Sequence, residues 1–121
     1  MAALEHLGPL REGPGLEAAV AEFERVEHED LERLTLDPDC AVSDRQRRDA
    51  LERALSLRNM ALVGKAVATA ALAREESRGA HHRLDHPARA DDACRAVSRI
   101  ERSADGGLQV HKDDGGLSTE R

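Results

Sequence analysis

Hydrophobic positions in the first third of the chain recur at helical spacing. Leu16, Ala19, Val20, Phe23, Val26, Leu31 and Leu34 fall on one side, with Glu17, Glu22, Glu24, Arg25, Glu29, Glu32 and Arg33 over the rest. This is an amphipathic helix with a solvated charged face, predicted over Gly15 to Leu36. Gly13-Pro14-Gly15 breaks the chain before it, leaving Met1 to Leu10 as a lead-in of one or two helical turns. Asp37-Pro38 ends it, because the residue before a proline is pushed out of helical geometry.

Ser43-Asp44-Arg45-Gln46 reads as a capping box. The helix it opens meets no strong breaker before Gly79, Gly64 being tolerable. A helix over Ser43–Arg78 would be on the order of 50 Å long. Its first part is amphipathic, with Ala50, Leu51, Ala54 and Leu55 expected inward. From Leu57 to Ala73 it is apolar nearly all round, interrupted by Arg58, Asn59 and Lys65. That pattern predicts burial on several sides, and so a small bundle or a second chain. Gly79 is the expected C-cap. Ala80 to Asp92 reads as an ordered loop. Cys94 to Arg102 and Leu108 to Lys112 read as two strands joined at Asp105-Gly106-Gly107. The fold class expected is mainly α: a small helical bundle of the spectrin-like three-helix type, with a long central helix and a short C-terminal β-hairpin. One domain fills residues 1–112, and residues 113–121 are a polar tail.

Composition narrows the function. Phe23 is the only aromatic residue, so Leu, Ala and Val must build the core. A net charge of −6 with no Trp or Tyr argues against a nucleic-acid binder. Cys40 and Cys94 form no CxxC pair or disulfide framework. The opening MAALEHLGPLREGPG has no basic n-region followed by an apolar h-region. No secretory leader or membrane insertion is expected, and a cytoplasmic setting is the default.

The chemistry concentrates in ALAREESRGAHHRLDHP, Ala71 to Pro87. His82 and His86 are four apart, and His81, Asp85, Cys94 and His111 could complete a metal site. Gly79 and Pro87 place that pair in a loop, where the spacing has no fixed geometry. Ser77 lies in SRG rather than GxSxG, and the neighbours Glu75 and Glu76 point apart on a helix. No glycine-rich phosphate loop is present. The Arg, His and Asp side chains of this run instead suggest a hydrogen-bonded seam with another body. Asn59, read as lying in the buried half of the helix, would also need partners there.

The same residues carry a resemblance. RNMALVGKAVATAALAREESRGAHHRLDHP, Arg58 to Pro87, resembles the C-terminal helical domain of the FAD-dependent succinate dehydrogenase, fumarate reductase and L-aspartate oxidase flavoproteins. The matching positions are Asn59, Ala71, Leu72, Arg74, Glu76, Ser77, Arg78, Gly79, His81, Arg83, Asp85 and Pro87. HLGPLREGPGLEAAVAEFERV is similar to that family's lead-in, and the likeness runs over about Leu4 to Asp92. Pro87-Ala88-Arg89-Ala90-Asp91-Asp92 departs from the family's uninterrupted Pro-x-Arg-Asp-Asp, and the aromatic residue usual soon after it is missing. The FAD-binding and capping domains have no counterpart in this sequence. The resemblance therefore implies no cofactor and no catalysis in this chain alone, with FAD in the absent domain. It implies a docking seam on a flavin domain, carried by Asn59, Arg74, Glu76, Ser77, Arg78, His81, Arg83 and Asp85. The rival readings are an independent helical interaction module, including a homodimer, and a small metal-binding protein.

Overall fold

A computed structural model of the chain describes residues 2–30, 42–91, 96–104 and 107–113. A 3-10 helix, Ala2–Leu7, leads into strand β1, Leu10–Arg11, and helix α1, Gly13–Arg25. A π-helical turn, Val26–Asp30, extends α1. Helix α2 runs over Asp44–Ala73, followed by β2, His82–Arg83, and the strands β3, Val97–Arg102, and β4, Leu108–Asp113. The chain is mainly helical, with a long helix and a terminal antiparallel strand pair. The three-helix expectation is corrected in one respect: the described residues hold two α-helices and a 3-10 helix. The Asp37-Pro38 stop lies outside the described residues.

Helix α1 begins at Gly13 rather than Gly15, because Pro14 in the first turn has no N–H to lose. Its N-cap residue, Glu12, makes no side-chain capping bond. The capping box of α2 forms as expected: Ser43 N–H donates to Gln46 Oε1 at 2.9 Å, and Gln46 N–H to Ser43 Oγ at 3.4 Å.

Ala19, Phe23 and Val26 form one core cluster with Ala61 and Ala68 of α2 and with Ala3, and Leu16 and Ala71 are buried as well. The buried positions of α2, namely Ala61, Gly64, Lys65, Ala68 and Ala71, form one stripe of mostly small side chains. Such a stripe brings two helix backbones close, which is how a core with a single aromatic residue is filled. Lys65 is 5% exposed. Its Nζ reaches Glu24 Oε1 at 3.2 Å and Glu27 Oε2 at 3.4 Å, and Glu27 also accepts from Arg102 of β3 at 3.1 Å. The π-turn is thereby tied to both α2 and the hairpin.

Two expectations about α2 are corrected. Ala50, Leu51 and Leu55 are exposed and Ala54 is half-buried, so the first part of the helix turns no apolar side inward. The 30 residues of α2 span roughly 45 Å against roughly 20 Å for the 13 of α1. Nor is Leu57 to Ala73 buried on several sides. Met60, Val63 and Val67 are 55, 62 and 40% exposed, in a row beside its buried stripe.

Strands β3 and β4 pair antiparallel, Val97 with Asp113 through to Arg102 with Leu108, close to the predicted hairpin. Strands β1 and β2 have no counterpart in the sequence pattern. They are two residues each and pair in parallel, Leu10 with His82 and Arg11 with Arg83. His82 N–H donates to Pro9 O at 3.1 Å and Leu84 N–H to Arg11 O at 2.7 Å.

Candidate functional site

Helix α2 stops at Ala73, five residues before the predicted end, and Arg74 is extended. The cause lies nine residues further on. Arg83, 2% exposed, aims Nη1 at the carbonyls of Ala71, Leu72 and Arg74, at 3.0, 3.1 and 3.3 Å. Carbonyls at a helix end are short of donors; of these three, Ala71 O also accepts the Arg74 N–H at 3.3 Å. A cation there also opposes the negative end of the helix dipole. Gly79 is therefore not the C-cap. It sits at φ +59 in the turn from Arg78 to His81, whose backbones exchange hydrogen bonds of 2.8 and 3.1 Å. A turn with positive φ at its second residue favours glycine.

The other edge of the Arg83 guanidinium holds Asp85. Nε and Nη2 donate to its two oxygens at 2.8 and 2.7 Å. Asp85 Oδ2 in turn accepts the backbone N–H of Gly13 at 2.9 Å. The cap that Glu12 does not supply to α1 thus comes from a loop 72 residues away. One Arg–Asp pair joins the C-terminus of α2 to the N-terminus of α1, each charge at the end of the dipole that favours it. Arg83 holds the Asp85 carboxyl well below the usual carboxylate range, and the Gly13 N–H adds to this.

Glu76 is fully buried. It accepts from Arg78 Nε and Nη2, both at 3.0 Å, from Arg74 Nη1, and from the Ala90 N–H at 3.0 Å. The hydrogen bond from Arg78 is the main reason its pKa falls to about 2, against the opposing effect of burial. Ser77, also buried, ties the loop to itself. Its Oγ accepts the Arg83 N–H at 2.9 Å and lies 2.8 Å from the His86 carbonyl, and its own N–H donates to Ala88 O at 3.0 Å.

His81 connects this loop to the lead-in. Its Nδ1 lies 2.8 Å from Arg11 Nη1 and its Nε2 lies 3.2 Å from the Arg74 carbonyl. Arg11 can only donate and the carbonyl can only accept, so the ring is neutral with its proton on Nε2. Burial pushes its pKa down, and the charges of Arg11, Arg74 and Arg83 push the same way. A histidine depressed in the folded state contributes stability that is present above the unfolded value, near 6.5, and lost as pH falls through the folded one. Chemical denaturation between pH 7.5 and 5.5 should therefore show stability falling on acidification. The slope should be shallower in His81→Gln.

Seven of the eight predicted seam residues come together here. Asn59 does not. It is exposed on α2, roughly 20 Å along the helix from Arg74. Among the described residues, no three His, Cys, Asp or Glu side chains converge on a point where a metal could sit. Both ring nitrogens of His81 are engaged, and Cys94 lies outside the described residues. No described helix is long and apolar enough to cross a membrane. Two contributors were not singled out for the site from the sequence. The Gly13 N–H gave no signal. Arg11 gave only its place in the lead-in.

Residues 2–116 match the family described as fumarate reductase flavoprotein C-term. The chain is 38% identical over 103 residues to the fumarate reductase flavoprotein subunit of Mycobacterium tuberculosis strain H37Rv, covering 85% of this chain and 17% of that protein. It is 35% identical over 82 residues to the L-aspartate oxidase of Rhodospirillum rubrum, covering 68% of this chain and 22% of that protein. The chain therefore spans less than a quarter of the length of these curated relatives.

Proposed function

We propose, since this chain belongs to the fumarate reductase flavoprotein C-terminal family, that it is the helical domain which a flavin-dependent oxidoreductase of this type packs against its FAD-binding body. Its work there is structural. The observation that carries the reading is the bare stripe of Met60, Val63 and Val67. Spacings of three and four place these side chains in one row along α2, beside the buried stripe that faces α1. A bare row of this kind is the mark of an interface. The other four-fifths or so of each relative, outside the matched part, is the natural cover for it.

The N-terminus of α1 does not fit FAD. A dinucleotide phosphate is ordinarily held at a helix N-terminus behind a glycine-rich turn, and at α1 that place is taken by the Asp85 carboxylate. FAD therefore belongs to the body, where it would supply the redox chemistry. The seam is proposed in a narrower form than the sequence suggested. Glu76, Ser77 and Arg83 shape the loop from inside, while Arg74, Arg78, His81 and Asp85 reach its surface.

A chimera tests the reading. This chain replaces the matching 103 residues of the mycobacterial subunit, and bound flavin and melting temperature are measured. The chimera should retain FAD. Met60→Ser, Val63→Ser and Val67→Ser together should lower both flavin retention and melting temperature. The isolated chain should change by less than about 0.5 kcal/mol per site, as exposed positions do. A chimera indifferent to the triple substitution would sink the reading.

A further inference from the structure

The groove that continues the bare stripe is lined by Val67, Ala70, Arg74, Ser98, His81 and Arg11. Arg11 differs from the other arginines of the loop system. Arg74, Arg78, Arg83 and Arg89 each face a carboxylate. Arg11 donates to Gly8 O at 2.7 Å, Leu7 O at 3.2 Å and His81 Nδ1 at 2.8 Å, all neutral acceptors. A guanidinium has five N–H donors, so two remain. No carboxylate of the described residues balances its charge.

The fork is also held still. Two backbone carbonyls fix one side of it. His81 fixes the other, itself anchored on the Arg74 carbonyl. A guanidinium immobilised in advance loses little freedom on taking a partner. Arg74 lines the same groove but is paired with Glu76, so the charge left for a partner there is that of Arg11.

We infer that this groove takes an aspartate or glutamate side chain from the flavin-binding body, seated on Arg11, with apolar residues of the same segment lying over Val67 and Val63. The inference rests on the proposed docking reading and names the chemistry of the partner segment. Two features argue for one occupant covering both. The apolar stripe runs into the groove at Val67, and the free charge stands at the groove's end. A neutral segment would leave Arg11 desolvated without a counter-charge, which is costly.

The test uses the same chimera carrying Arg11→Lys. A carbodiimide joins an amine to a carboxylate without a spacer, and peptide mass spectrometry identifies the pair. The expected product links Lys at position 11 to an Asp or Glu of the body. Arg11→Gln should lower the chimera's melting temperature by roughly 5 °C more than that of the isolated chain. Links only within this chain or between two copies of it, or equal shifts in both settings, overturn the inference while the docking reading stands on the stripe substitutions. A chimera that holds no FAD overturns the docking reading itself, and this inference with it.

Discussion

Glu76→Ala should be among the most damaging single substitutions in this chain, costing about 3 kcal/mol. It removes a fully buried carboxylate that accepts from Arg74, Arg78 and the Ala90 N–H. Removing one member of a buried ion pair strands the others, which typically costs ~3–5 kcal/mol. The lower end applies because Arg74 and Arg78 keep 21 and 30% of their side chains exposed and recover some hydration. For a chain of this size, the melting temperature should fall by roughly 10 °C, followed by circular dichroism. The control is Glu22→Ala, which breaks an exposed pair with Arg25 three residues away and should cost less than about 0.5 kcal/mol. Equal effects would show that the Glu76 cluster does not hold the loop.

The same carboxylate sets an acid limit. Its pKa is lowered to about 2 from an ordinary 4.5. The unfolded chain therefore binds the proton first as pH falls. The contribution of Glu76 is complete above about pH 4.5 and is lost between there and about 2. Asp85, lowered chiefly by Arg83, adds to the loss in the acid range. The loss due to His81 begins higher, below its unfolded value near 6.5, so stability should already be falling before Glu76 begins to protonate.

What could be read in the sequence, and what could not, divides by distance along the chain. The capping box of Ser43 and Gln46 is local and formed as written. The helical spacing of Leu16, Ala19 and Phe23 also marked the buried face of α1 correctly. The end of α2 was misplaced because its cause is not local. The helix-favouring run Arg74-Glu75-Glu76 loses to a guanidinium at position 83 that takes the carbonyls instead. The motif ESRGAH announced a cluster of charges, but not their direction. Most of them are spent inside the chain, clasping α1 to α2. Arg11, which faces no carboxylate of the described residues, lies 70 residues away from His81. Nothing in the spacing of either could have joined them. Periodicity also overstated burial from Leu57 to Ala73, since an apolar run shows which side chains could be buried and not what covers them. The described residues cover one side of it.

Phe23→Ala should be as damaging, and its interplay with Gly64 is more telling than its size. Phe23 is fully buried and is the largest side chain of the core. Truncating such a ring typically costs ~3–5 kcal/mol, part transfer and part cavity. The ring lies on Gly64, where an added Cβ would collide with Cζ and stand 2.6 and 2.9 Å from Cε1 and Cε2. Gly64→Ala alone therefore sets two effects against each other. Alanine favours the helix by about 1 kcal/mol, while overpacking against a ring with nowhere to move costs ~1–3 kcal/mol. The single substitution should destabilise. In the Phe23→Ala background the collision is gone, the methyl group occupies part of the cavity, and only the favourable effects remain. Gly64→Ala should there change sign and raise stability. A double-mutant cycle by urea denaturation measures this directly, since contacting residues couple by ~0.5–3 kcal/mol. Additive effects would show that the helices are not held at the separation this ring and this glycine set.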